Sequence, residues 1–128
     1  MIVLDASALV EVVLALPQRD WVLAHLVGED VAAPPHQLAE VASALARLER
    51  AGVLGADDAV RALDDAAALP QRVEALTPAL MHRAYALRAS LRVADSFYVA
   101  LAERDDAVLL TTDRRLARAG LPCRVLHP

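Results

Sequence analysis

Short apolar runs, too brief for helices, alternate with stretches of helical spacing along the whole chain, and this alternation restricts the fold more than any other feature. Ile2–Val3–Leu4, Val31–Ala32–Ala33 and residues 72–76, 107–111 and 123–126 read as strands. Between them lie seven helical segments. Residues 6–16 stop before Pro17, and a segment of about residues 19–27 is ended by Gly28. Residues 35–51 open on Pro35 and stop at Gly52, and residues 56–69 lie between Gly55 and Pro70. Thr77–Pro78, a hydroxyl cap followed by a proline, starts a helix running to about Ser90. Residues 94–104 and 113–119 complete the set, the last stopped by Gly120.

About five strands and seven helices in alternation describe an α/β chain. The strand runs lack a clean period of two, which suits a parallel sheet covered on both faces, a three-layer α/β/α sandwich. With 57% hydrophobic but only 3% aromatic residues, its core must be made of Ala, Val and Leu. The 128 residues fit a single domain, 1–128, with no repeat, linker or low-complexity tail. The apolar start of the chain lacks a basic segment, and Asp5 and Glu11 interrupt it, so neither a signal peptide nor a membrane span is expected. The lone Cys123 excludes an intrachain disulfide and suits a reducing compartment, so a cytoplasmic protein is expected. Cys123 itself reads as a strand residue and Trp21 as a packing residue.

Most acidic residues sit in solvated patterns. Asp57, Asp58, Asp64 and Asp65 lie on one segment with Arg61 among them, a salt-bridged surface. Asp105–Asp106 marks a turn. Four acids differ. Asp5 and Asp113 each follow an apolar strand, at the carboxyl edge where open parallel sheets bind ligands. Glu40 is embedded in the apolar run Leu38–Ala39–Glu40–Val41–Ala42, and Asp95 stands in the first turn of its helix. Taken singly, Asp5, Asp95 and Asp113 could be helix caps, and Glu40 could be a partner for Arg47. Taken together they indicate one shared site, because clustered carboxylates repel one another unless a hard divalent cation supplies countercharge. Mg²⁺ takes oxygen ligands of this kind and often shares them with a substrate phosphate. The four histidines, His25, His36, His82 and His127, show no metal-ligand spacing.

The segments Val3–Leu4–Asp5–Ala6–Ser7–Ala8–Leu9, Leu38–Ala39–Glu40–Val41, Val93–Ala94–Asp95–Ser96–Phe97–Tyr98–Val99–Ala100–Leu101–Ala102–Glu103 and Leu110–Thr111–Thr112–Asp113–Arg114–Arg115–Leu116 resemble the four motifs of PIN domains. More narrowly the chain resembles the VapC-type toxins of type II toxin–antitoxin systems, from Ile2 to about Leu126. The resemblance implies the sheet order 3-2-1-4-5 and makes Asp5, Glu40, Asp95 and Asp113 the metal-binding quartet, with Ser7 and Thr112 bordering the site. Many family members carry Asn where Ser43 stands. It also implies a ribonuclease that hydrolyses phosphodiester bonds with Mg²⁺, or Mn²⁺ in its place, without a side-chain nucleophile. The partners it implies are RNA, a cognate antitoxin and a second copy of the chain. Apolar residues Val10, Val13, Leu14, Leu16, Trp21, Val22 and Leu26 are candidates for the antitoxin surface. Leu45, Leu48, Leu80, Met81, Tyr85 and Leu87 are candidates for a dimer surface. Arg114, Arg115 and Arg118 are candidates for holding flanking phosphates, or are plain surface arginines.

Rival chemistries fare worse. The net charge of −4 is unhelpful for phosphate binding without metal. All 13 basic residues are Arg, so the phospho-receiver and aspartate-nucleophile phosphatase readings, which need a Lys, are disfavoured. The phosphatase also wants a second acid where Ser7 stands. The alternatives that survive are a PIN-like domain that binds RNA or protein without cutting, and a housekeeping nuclease without a toxin role.

Overall fold

The computed structural model describes residues 1–128. Its sheet has five parallel strands, β1 (Ile2–Leu4), β2 (Val31–Ala33), β3 (Arg72–Val73), β4 (Val108–Leu110) and β5 (Arg124–Leu126), in the order β3-β2-β1-β4-β5. The helices are α1 (Ala6–Val13), α2 (Arg19–Leu26), α3 (Gln37–Arg50), α4 (Ala56–Ala68), α5 (Pro78–Ala86), α6 (Val93–Arg104) and α7 (Arg114–Ala117). The α/β/α architecture and the strand order are those expected. None of the helices is long and apolar enough to cross a membrane.

Every residue of β1 and β2 is buried, so both faces of the central sheet are covered, the condition that removes period-two alternation from a sequence. Helices α1 to α4 pack on one another, while α5 packs on α6 and α6 lies against β1 and β4. Alanine makes this close packing feasible. Ala59, Ala62 and Ala66, three and four residues apart, form the buried stripe of α4, and Ala100 and Ala102 are buried on α6.

Several boundaries move inward from those expected. Pro34 to His36 form a turn, not a first helical turn, and α3 starts at Gln37, whose N–H donates to the Pro34 carbonyl at 3.2 Å. Helix α1 ends early because Ala15 takes a positive φ of 51°. Strand β3 is a two-residue exposed edge because only Arg72 and Val73 find register on β2. The Thr77 cap forms as expected, its Oγ1 accepting from Leu80 N–H at 3.2 Å with Pro78 behind it. Gly52, with φ of +73°, ends α3 in a conformation that costs other residues energy.

One buried polar contact sets α3 against the sheet. The Gln37 side chain is 1% exposed, and its Nε2 donates to the Leu4 carbonyl at 2.8 Å, where β1 has run out of strand partners on that side. The Gln71 amide donates back to Gln37 Oε1 at 2.6 Å. This pairing fixes the start of α3, and so Glu40, beside the end of β1. Replacing Gln37 with Leu leaves the Leu4 carbonyl buried without a donor. The expected cost is about 1–3 kcal/mol of unfolding free energy, measured by urea denaturation.

Candidate active site

The carboxyl ends of β1 and β4 adjoin at the point where the strand order reverses, and the chain leaving each one carries an acid. Asp5 N–H donates to the Leu110 carbonyl at 3.0 Å, so Asp5 is held level with Thr111. Asp5 is 4% exposed. Its Oδ2 accepts from Ser7 Oγ at 2.5 Å and from Thr111 Oγ1 at 2.7 Å. Backbone amides orient both hydroxyls: Thr112 N–H donates to Ser7 Oγ and Asp113 N–H to Thr111 Oγ1, each at 3.1 Å. Both hydroxyls fall on the same oxygen, and Oδ1 accepts no hydrogen bond. Burial pushes the Asp5 carboxyl above its usual range, the Ser7 and Thr111 hydroxyls pull it part of the way back, and the charges of Glu40 and Asp95 raise it again.

Glu40 lies in the first turn of α3. Its Oε1 accepts from Tyr98 Oη at 2.6 Å and lies 3.3 Å from His36 Nε2. His36 Nε2 also sits 2.9 Å from the Ala94 carbonyl, an obligate acceptor, so that nitrogen carries the proton. Burial, and next the Glu40 carboxylate, push the Tyr98 phenol far above its ordinary pKa, so it remains a donor. The imagined pairing of Glu40 with Arg47 is replaced by these two contacts.

Asp95, in the first turn of α6, is 6% exposed and does not cap its helix; Arg92 holds the N-cap position. Asp113 does cap α7, its Oδ1 accepting from Arg115 N–H at 2.8 Å and Leu116 N–H at 3.2 Å. The Arg115 guanidinium then bridges the two acids, with Nη2 at 2.8 Å from Asp95 Oδ2 and 3.1 Å from Asp113 Oδ2. Arg92 Nε makes the second contact to Asp95 Oδ2, at 3.2 Å. Arg115 therefore does not stand ready for a flanking phosphate; it neutralises the acids.

All four acids singled out in the sequence line one pocket of about 310 Å³, together with Ser7, Thr112, Glu11, Arg47 and Arg92. Of the two bordering residues, Ser7 reaches Asp5 through its hydroxyl, whereas Thr112 contributes its backbone amide; the second hydroxyl on Asp5 is that of Thr111. Thr111, Tyr98 and His36 are the residues that sequence reasoning missed. Asp95 and Tyr98, three apart, share a helix face, and that spacing was the one available signal for Tyr98. Elsewhere Arg61 pairs with Asp58 on the exposed face of α4 as expected, and Trp21 packs against the core. Cys123 is half-buried just before β5, with its thiol pushed up to about 11 by burial.

The donor set suits a hard divalent cation: four carboxylates, with Asp5 presenting a free oxygen and charges that strain against one another. As the side chains stand, no three of the acids converge on one metal position, and Arg115 supplies the positive charge instead.

The fold and this acid-lined edge define a class, and the sequence bears it out: the PIN domain family matches residues 2–121, and the chain belongs to that family. Among curated relatives, Ribonuclease VapC3 of Mycobacterium tuberculosis is 42% identical over 119 residues, covering 92% of this chain and 86% of that protein. Among solved structures, PAE2754 from Pyrobaculum aerophilum superposes with a TM-score of 0.74 at 25% identity, covering 97% of this chain and 81% of that one. A chain of a toxin–antitoxin complex from Klebsiella pneumoniae shares the fold, with a TM-score of 0.68 at 15% identity, covering 98% and 96%.

The Arg115 bridge generates a direct expectation. Arg115→Ala removes the guanidinium that occupies Asp95 Oδ2 and Asp113 Oδ2, so Mn²⁺ binding measured by calorimetry should tighten several-fold. Unchanged or weaker binding would show that Arg115 does not compete for the site.

Proposed function

We propose that this chain is a metal-dependent endoribonuclease, and the toxin of a toxin–antitoxin pair, working in the cytoplasm as a single domain over residues 1–128. The observation that carries the reading is the convergence of Asp5, Glu40, Asp95 and Asp113 on one pocket at the switch between β1 and β4. Its supports are the family membership and the relatives named as ribonucleases.

In this reading Asp5, Glu40, Asp95 and Asp113 are the ligands of Mg²⁺, with Mn²⁺ able to substitute. The chemistry supplied by a bound ion of this kind is a water of lowered pKa and stabilised charge on the scissile phosphate. The chain's own part is positioning. Ser7 and Thr111 hold Asp5 by one oxygen, Tyr98 holds Glu40, and the amides opening α7 hold Asp113. Thr112 contributes through its amide, which orients Ser7.

An antitoxin fits two features. The partly buried Val10, Val13, Leu14, Leu16, Trp21 and Leu26 of α1, α2 and the segment joining them leave an apolar surface on which a partner helix can lie, while Val22 is fully buried and drops out. The acid pocket already holds a guanidinium, so an arginine from a partner could take the same place. A second copy of the chain is the other proposed partner. Of the residues considered for that interface, Leu45 and Leu80 belong to the core, while Met81 (48%) and Tyr85 (59%) are exposed on α5.

Purified protein should cut RNA with Mg²⁺ or Mn²⁺ and not with chelator. Asp5→Asn and Asp95→Asn should abolish cleavage while remaining folded. Expressed without an antitoxin, the wild type should arrest growth and Asp95→Asn should not. Cleavage without toxicity would favour a housekeeping nuclease, and RNA binding without cleavage a binding module. Light scattering at micromolar concentration should give twice the monomer mass, with Tyr85→Glu shifting it to the monomer.

A further inference from the structure

Helix α3 runs away from the acid pocket with Glu40, Ser43, Arg47 and Arg50 at successive spacings of three, four and three residues, so all four share one face. That face forms the wall of a second groove, of about 550 Å³, lined by His36, Ser43, Arg47, Arg50 and Arg92 with Glu40 at its inner end. The groove is continuous with the acid pocket, because Glu40, Arg47 and Arg92 line both. At 1.5 Å of rise per residue, Arg47 stands about 10 Å and Arg50 about 15 Å along the helix from Glu40.

The charge of the groove is opposite to that of the molecule. Acids outnumber arginines by 17 to 13, yet Glu40 is the one carboxylate in the groove, against three arginines. Eight of the arginines pair with carboxylates: Arg19, Arg61, Arg72, Arg83, Arg92, Arg104, Arg115 and Arg124. Arg47 and Arg50 make no ion pair and no side-chain hydrogen bond, and both are exposed. In a chain with an excess of acids, two unpaired guanidiniums aligned on one helix face are free for an anion from outside. The walls are polar, with Ala39 and Ala46 their apolar members, and they offer no aromatic or aliphatic anchor of the kind a protein partner buries.

We propose that Arg47 and Arg50 form a phosphate track that grips the RNA strand on one side of the scissile bond. The proposal rests on the ribonuclease reading and adds to it the direction in which the strand leaves the acid pocket. Guanidinium groups suit the task because they meet phosphate oxygens in a two-pronged fork. The track also explains how a chain of charge −4 can hold a polyanion: the arginines that grip it are local, on a helix whose inner end delivers Glu40 to the site.

The test uses Asp5→Asn protein, so that binding is read without cleavage, and a fluorescein-labelled short single-stranded RNA followed by anisotropy. Removing one arginine that neutralises a phosphate should reduce the slope of log affinity against log salt by about 0.7, so R47A/R50A should lower it by about 1.4. Between about 50 and 200 mM salt, the parent should therefore weaken about sevenfold more than the double variant. R47K/R50K should restore most of the slope, and R61A/R88A, which removes equal charge elsewhere, should keep it. An unchanged slope in R47A/R50A overturns the track, and so does an equal reduction in R61A/R88A, which would mean that overall charge alone is read. An unchanged slope with loss of binding to a protein partner would give the groove to that partner and likewise overturn the proposal. Failure of the underlying reading looks different: wild-type protein that leaves RNA intact with Mg²⁺ or Mn²⁺ while Asp5→Asn still shows the salt-dependent binding.

Discussion

Repulsion among carboxylates gathered at one edge of the sheet is the constraint that the surrounding structure answers. Asp5 feels Glu40 and Asp95 while burial denies it water. Each acid is consequently given donors: two hydroxyls for Asp5, a phenol for Glu40, two guanidiniums for Asp95, and two amides for Asp113, which shares the Arg115 guanidinium with Asp95. Those donors come from distant parts of the chain. Ser7 is on α1, Thr111 follows β4, Tyr98 and Arg92 belong to α6 and its approach, and Arg115 is on α7. The acid edge therefore ties together elements that the hydrophobic core only stacks.

Strand β1 is the axis of this arrangement. It lies between β2 and β4, and its last carbonyl is taken by Gln37 and its first following amide by Leu110. Those two hydrogen bonds deliver α3 on one side and the β4–α7 connection on the other. The distance between Glu40 and Asp113 is thus governed by backbone groups of β1, not by the acids themselves.

Much of this was legible in the chain. Runs such as Ile2–Val3–Leu4 are too short for helices and too apolar for loops, and Thr77–Pro78 and Gly52 punctuate helices by known stereochemistry. Acids at strand ends pointed to the functional edge. What escaped depended on register and rotamer. Thr111 and Thr112 are chemically alike, and only the pairing of Leu4 with Leu110 places the hydroxyl of Thr111, and not that of Thr112, on Asp5. His36 draws no role from the sequence because the four histidines show no metal-ligand spacing among themselves; its partner, the Ala94 carbonyl, is 58 residues away. Arg115 reads as a phosphate-holding or plain surface arginine, because nothing in the order of residues says that α7 brings its first turn to the start of α6.

The guanidinium of Arg115, lodged between Asp95 and Asp113, bears on the life of a newly made chain. A pocket of four acids would ordinarily tie folding to the arrival of a cation, as in small domains that collapse only around their ion. Here the sequence carries its own cation on α7, so the acid edge can close in the same event as the core. A chain leaving the ribosome can then reach its final shape with Asp95 and Asp113 already paired, before any other cation arrives.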